Sequence, residues 1–206
     1  MDVKTVFKFL KEDIHTAVFS TLDENGLPES RVIDVMLYDG GGIYFITAKG
    51  KRFYDSLVKN KYAAVSGFKG RDTMSSVAVS LRGKVEELGD GLVGRVFEEN
   101  PYMNEIYPSP KSRSALTVFK LYSGEGEYFD LSKKPIERFS FLFGGENAEE
   151  RGYFVGDGCI LCGKCIEVCP QSCIELTDKK AEIKQENCLS CGNCMSVCPA
   201  GAVERR

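Results

Sequence analysis

Two stretches near the end of the chain, "CILCGKCIEVCP" (Cys159–Pro170) and "CLSCGNCMSVCP" (Cys188–Pro199), repeat each other thiol for thiol at a constant offset of 29 residues. Each reads C-x2-C-x2-C-x3-C-P, so eight of the nine cysteines in this 206-residue chain are committed to one pattern. A disulfide framework of that density needs an oxidising compartment and usually a secreted chain. The opening "MDVKTVFKFLKED" carries neither an apolar signal segment nor a twin arginine, so a reducing cytoplasmic setting is expected. Zinc knuckles use C-x2-C pairs set well apart, not four thiols in eleven residues closed by proline. The ninth thiol, Cys173, has Ala202 as its counterpart in the second copy. The repeat therefore asks no ligand role of it, and a small buried residue is expected there.

What the spacing does fit is a pair of iron–sulfur clusters, and the tail from about 156 to 206 resembles a bacterial two-cluster ferredoxin. That resemblance implies crosswise ligation. Cys159, Cys162, Cys165 and Cys198 would hold one 4Fe-4S cluster, and Cys188, Cys191, Cys194 and Cys169 the other. Pro170 and Pro199 would turn the chain back toward the metal. Between the copies, "CIELTDKKAEIK" alternates as a small hairpin, with Ile174 and Leu176 facing Ala181 and Ile183 across a polar turn.

Composition narrows the rest. A 43% hydrophobic, 28% charged chain is a soluble globular protein of one full domain plus a small appended one. A net charge of −3 argues against nucleic acid as a partner, and no apolar run is long enough for a membrane span. A single histidine, His15, leaves no multi-histidine metal site within the chain. At the mouth of the first strand, it reads as structural or exposed rather than as a proton donor.

The leading 150 residues begin with an amphipathic helix over 2–12, capped by Asp2, with Val3, Val6, Phe7 and Leu10 on one face. The period then changes to strands: "TAVFSTL", the turn "DENG", "SRVIDVMLY", the turn "DGGG" and "IYFIT". A helix "KRFYDSLVKN", strands "YAAVSGF" and "SVAVSLRGKVEEL", and a helix near Leu92–Glu99 follow. A hairpin "ALTVFKLY-SGEG-EYFDLS" is expected to close the segment. Six or so strands in meander order predict a closed or nearly closed antiparallel barrel, which hides its edges.

In their order, "DENGLPESRVIDV", "YFITAKGKR", "DSLVKN", "YAAVSGF" and "LRGKVEEL" resemble the pyridoxamine 5'-phosphate oxidase-like FMN-binding split barrel over about residues 3–131. The fold class expected is thus mainly β with α insertions, followed by a small α+β ferredoxin-like domain. The resemblance implies FMN contacts along Arg31, Val32, Ile33 and Asp34, at the strand end Ile46–Thr47, and from Lys49, Lys51 and Arg52. The last three sit where a helix begins, and cations there oppose its dipole unless an anion joins them. The family's lysine falls at Met36, and one of its glutamines falls near Ala78. Its basic C-terminal strand is replaced by "FDLSKKPIERFSFLFGGE". Vitamin B6 oxidation is therefore not implied; flavin reductases, nitroimidazole-reductase-like proteins and general-stress flavoproteins are the nearer comparison. Deazaflavin F420 remains open as an alternative ligand, whereas haem is disfavoured by the scarcity of histidine.

The expected layout is a barrel over 1–131, a linker over 132–156 whose Phe139, Phe141 and Phe143 dock the modules and whose Gly-rich part hinges, and clusters over 157–206. The family resemblance further implies a homodimer with FMN in its interface. Electrons would pass between the clusters and FMN to a small acceptor or a protein partner, with a low-potential protein as donor or acceptor. A non-catalytic electron carrier or redox sensor is the competing reading.

Overall fold

The computed structural model describes residues 2–145 and 151–206. Two compact units emerge among the described residues, one of 2–128 and 140–145, the other of 129–139 and 151–206.

The first unit opens with helix α1 (Val3–Phe9), where the Asp2 carboxylate accepts from the Thr5 amide at 2.7 Å, and runs on through a wider turn over Leu10–Ile14. Strands β1 (Thr16–Leu22), β2 (Pro28–Asp34), β3 (Leu37–Asp39) and β4 (Gly42–Ala48) follow, then helix α2 (Arg52–Asn60). Next come β5 (Tyr62–Lys69), β6 (Val77–Gly89), short helices α3 (Val93–Glu99), α4 (Met103–Ile106) and α5 (Pro110–Arg113), and strands β7 (Leu116–Asp130) and β8 (Glu137–Phe143).

These eight strands form one sheet in the order β2-β1-β5-β6-β7-β4-β3, with β8 on β7. β2 and β3 stand at opposite ends of that order, yet only Val35 and Met36 separate them in the chain. The expected single strand "SRVIDVMLY" is therefore broken. The Val35 amide donates to His15 O (2.7 Å) on the β1 side, and the next amide, Met36, donates to Tyr44 O (2.8 Å) on β4. Changing partner in one step closes the sheet into a split barrel. Phe19, Phe45 and Phe119 fill its interior, with ring centroids 4.6 and 5.7 Å apart, and all are fully buried.

The hairpin expected at "SGEG" is absent: β7 runs straight through it. Gly124 is needed for close approach rather than for a turn. A Cβ there would meet Arg82 O at 2.1 Å, and one on Gly83 would meet Ser123 O at 2.1 Å. The strand that returns is β8, which lies in the stretch expected as linker. Its Phe141 and Phe143 are buried against Phe7, at 6.3 and 5.3 Å between centroids, so they complete the barrel's own core. The expected hinge falls partly on 146–150, outside the described residues.

The second unit contains strands β9 (Tyr153–Val155), β10 (Ile174–Leu176), β11 (Ala181–Ile183) and β12 (Val203–Arg205) with short helices α6 (Lys164–Glu167) and α7 (Asn193–Ser196). The expected hairpin forms, pairing Ile174 with Ile183 and Leu176 with Ala181. β9 pairs antiparallel with β12, so this unit includes residues before 157. The "KKPIER" segment also belongs here: the Ile136 amide donates to Gln171 Oε1, and Asn187 Nδ2 donates to Ile136 O. Among the described residues no helix is long and apolar enough to cross a membrane.

Candidate functional site

The cysteine repeat is also a repeat of backbone conformation. Leu161 and Ser190 (φ 57 and 53°), Gly163 and Gly192 (75 and 80°), and Ser172 and Gly201 (50 and 59°) are left-handed in pairs 29 residues apart. Three of these six carry a side chain, and left-handed backbone at such residues persists only where its surroundings over-determine it. The effect is to curl each C-x2-C-x2-C loop inward before the short helix that carries its third thiol.

Two cavities result. One, with about 350 Å³ of space counting the solvent at its open mouth, is lined by Cys159, Cys162, Cys165 and Cys198; the other, at about 330 Å³ on the same count, by Cys188, Cys191, Cys194 and Cys169, with Cys173 as a fifth thiol. Near-equal volumes are what a duplicated loop should leave. Each cavity takes three thiols from one copy and the fourth from the other. All nine thiols are free, and among the described residues no three acidic, cysteine or histidine groups converge closely enough for a single ion. Four thiols that ring a void without meeting suit a polynuclear cluster rather than one metal ion.

The thiol environments repeat as well. Burial pushes Cys165 and Cys194, equivalent positions, up from the ordinary thiol range. Burial also works on Cys169 and Cys198, but backbone amides of the residues that follow outweigh it and bring both below the usual value. The Ala202 amide donates to Cys198 Sγ at 3.3 Å, and the Ser190 amide to Cys188 Sγ at 3.4 Å. Cys173 Sγ lies 3.4 Å from Cys169 Sγ. Burial first, then the bond to Cys169, pushes the Cys173 thiol up to about 12.

In the barrel the expected flavin contacts are divided. Arg31, Val32, Ile33 and Asp34 line β2 at one end of the strand order. Arg31 lies over the Phe53 ring in the first turn of α2, its guanidinium carbon 6.0 Å from the centroid. It is not a free cation. It donates to Glu29 Oε1 at 2.5 Å, and buried Glu29 in turn accepts from Ser56 Oγ of α2 at 2.9 Å. Val32 is 71% exposed, while Ile33 is half-buried opposite Ala17. Ile46 packs into a core cluster with Met36, Val96 and Leu116, and Thr47 is buried. Lys49, Lys51 and Arg52 are exposed. Lys51 is the N-cap of α2, and no side chain caps that helix. Arg52 sits 4.0 Å from Asp23.

A network that sequence reading misses surrounds Asp34. The Tyr102 hydroxyl donates to Asp34 Oδ2 at 2.6 Å, Thr16 Oγ1 donates to Asp34 Oδ1 at 2.6 Å, and His15 Nε2 lies 3.0 Å from the Tyr102 oxygen. Burial, then the bond to Asp34, raises the Tyr102 phenol well above its ordinary range. His15 itself is left-handed, at φ 62°. Its ring partner Tyr102 is 87 residues away, so local periodicity carries no sign of the pair.

The family profile of pyridoxamine 5'-phosphate oxidase matches residues 3–129, and that of the 4Fe-4S dicluster domain matches residues 158–202. Pyridoxine/pyridoxamine 5'-phosphate oxidases of Legionella pneumophila strains Lens and Paris are each 26% identical over 131 residues, 62% of this chain. The match spans 60% of the length of those relatives. Among solved structures, a nimc/nima family protein from Clostridium acetobutylicum aligns at TM-score 0.53 and 19% identity, covering 67% of this chain and 92% of its own. A protein related to general stress protein 26, from the same organism, aligns at TM-score 0.53 and 19% identity over 69% and 96%. A heme binding protein from Mycobacterium smegmatis aligns at TM-score 0.54 and 13% identity over 69% and 58%. At these identities the likeness is one of fold.

Proposed function

The chain belongs to the pyridoxamine 5'-phosphate oxidase family over residues 3–129 and carries a 4Fe-4S dicluster domain behind it, and on that footing we propose that it is a flavo-iron–sulfur oxidoreductase. Electrons pass between two 4Fe-4S clusters and FMN, and from the flavin to or from a small acceptor or protein partner. The observation that carries this reading is the crosswise division of eight thiols between two cavities of nearly equal size. When bound, the clusters supply one-electron transfer and the flavin couples it to two-electron chemistry.

The chain's own residues have definable tasks. Cys159, Cys162, Cys165 and Cys198 hold one cluster as thiolates; Cys188, Cys191, Cys194 and Cys169 hold the other. Amides aimed at Cys198 and Cys188 stabilise negative charge on those sulfurs. At the barrel, the uncapped start of α2 offers amides and dipole to the FMN phosphate, with Lys49, Lys51 and Arg52 supplying positive charge. Arg31, held by Glu29, flanks that helix, and the backbone of Arg31–Asp34 would be the part of β2 offered to the flavin. Joining both modules in one chain replaces a bimolecular encounter with a high effective concentration.

A homodimer belongs to the same proposal. Outward on β2, β1 and β5 lie Val32, Val18 and Ser66 in one row and Ser30, Ser20 and Ala64 in the next, followed by Leu22 and Tyr62. Val32, Val18, Leu22 and Tyr62 are 71, 42, 46 and 46% exposed. On these three strands the sheet turns apolar and small residues outward, a face that suits a second copy, and its rows run on to exposed Arg82 and Lys84 of β6.

Anaerobic purification with an absorption spectrum, iron assay and mass of the extracted chromophore tests the reading. About eight irons per chain and released FMN are expected. Colourless protein, or a barrel that takes up no flavin, overturns it, and a mass matching F420 replaces FMN as the ligand. Turnover of acceptors no faster than free FMN achieves would make the protein a carrier rather than an enzyme.

A further inference from the structure

The two cluster cavities differ at one position that the repeat should make equal. Residue 173 follows the fourth ligand of the first copy by four, as residue 202 does in the second. Position 202 is alanine, whose amide donates to the ligand sulfur of Cys198. Position 173 is cysteine, only 3% exposed, and its sulfur adds a second group facing Cys169 at 3.4 Å. The carbonyl of Cys173 accepts from the Lys184 amide at 2.8 Å, which fixes its backbone on the hairpin.

We propose that the Cys173 thiol donates an S–H···S hydrogen bond to the Cys169 ligand sulfur and thereby raises the reduction potential of the cluster of Cys169, Cys188, Cys191 and Cys194, a contribution that its twin lacks. The inference rests on the two-cluster reading above. A cluster ligand is a thiolate and can only accept, so the proton in this pair belongs to Cys173. The 3.4 Å separation is far beyond an S–S bond of about 2.05 Å, so the two sulfurs are not joined. One-electron reduction adds negative charge to the cluster and its sulfurs, and a donor aimed at one of them stabilises the reduced form more than the oxidised form. Exposure is not equal at the two sites: Cys162 and Cys191 are both exposed, but Cys188 and Cys194 are buried where their counterparts Cys159 and Cys165 are half-buried, so burial opposes reduction at this cluster and the thiol donor works against it. Cys173 is thus a positioning residue that tunes one cluster of the pair and not the other.

A potentiometric titration of the anaerobic full-length protein, followed by electron paramagnetic resonance, tests this through its two one-electron steps. In Cys173→Ala, which copies the sister loop, one step should fall and the other stay. Because the bond is made in both oxidation states, the worth of one neutral hydrogen bond is a ceiling, and the reduced-to-oxidised ratio at fixed potential should change by up to about fivefold. The one-electron relation of 59 mV per decade converts that to ~40 mV. Cys173→Ser keeps a donor and should hold the step near its original place. Ala202→Cys adds the missing donor and should raise the other step, a result independent of how well Cys173→Ala folds. Both steps unmoved in Cys173→Ala and Ala202→Cys, with full iron, overturn the inference. So does a fall to about four irons in Cys173→Ala, which would make Cys173 a ligand. Absence of iron from the unsubstituted protein would remove the two-cluster reading itself.

Discussion

At the crossing of β6 and β7, Gly83 and Gly124 leave no room for a side chain: a Cβ on Gly124 would lie 2.6 Å from Gly83 Cα as well as against Arg82 O. Neither contact involves a flexible tip that can swing aside. Gly124→Ala is therefore expected to destabilise the barrel by about 1–3 kcal/mol, lowering Tm by roughly 2–4 °C for each of them. Gly94 is the control. It sits inside α3 with nothing within 4 Å of an added Cβ, so Gly94→Ala should leave Tm unchanged or raise it slightly. An equal drop for both would show that the close approach at Gly124 is not what matters. In the sequence these two glycines look alike, because the cost of a methyl group depends on a strand some 40 residues distant.

The element most misread is the strand pair near the barrel's end. "SGEG" has the composition of a turn, yet Gly124 serves the crossing, Gly126 leaves room for the Phe141 ring and Leu81, and the strand that returns beside β7 is β8. The break between β2 and β3 has no punctuation at all: Val35 and Met36 are ordinary strand residues that change hydrogen-bond partners. By contrast, α1 follows from period and its Asp2 cap, α2 from period alone, and the β10–β11 hairpin from alternation about a polar turn. The outward face of β1, β2 and β5 yields a prediction at this scale. If a second copy covers it, Val32→Lys should give a monomer by analytical ultracentrifugation where the unsubstituted protein sediments as a dimer. Monomer in both cases would leave the apolar face without the occupant assigned to it.

The two units differ in what holds them together. The barrel buries large side chains throughout, among them Phe7, Phe19, Phe45, Phe53 and Phe119. Among the described residues the cluster unit has a core of nine, three of them cysteines and two alanines. So small a core cannot offset chain entropy unaided, and metal ligation becomes folding energy. Anaerobic chelation of the iron should therefore abolish amide protection in β9–β12 while β1, β5 and β6 keep theirs in hydrogen exchange. Loss of protection in both units at once would refute that division.

Much of the cluster unit was legible because its logic is local: a thiol every third residue, a proline stop and a second copy name the metal before any fold is known. The order of strand, turn and helix pieces likewise pointed to the barrel's family. Only the tertiary structure could tie Arg31 to Glu29, bring Tyr102 and His15 to Asp34, and set Cys173 beside Cys169 but leave Cys198 without such a neighbour. Spacing along a chain fixes which groups are available for chemistry. Their distances depend on packing between distant segments, and no local pattern records them.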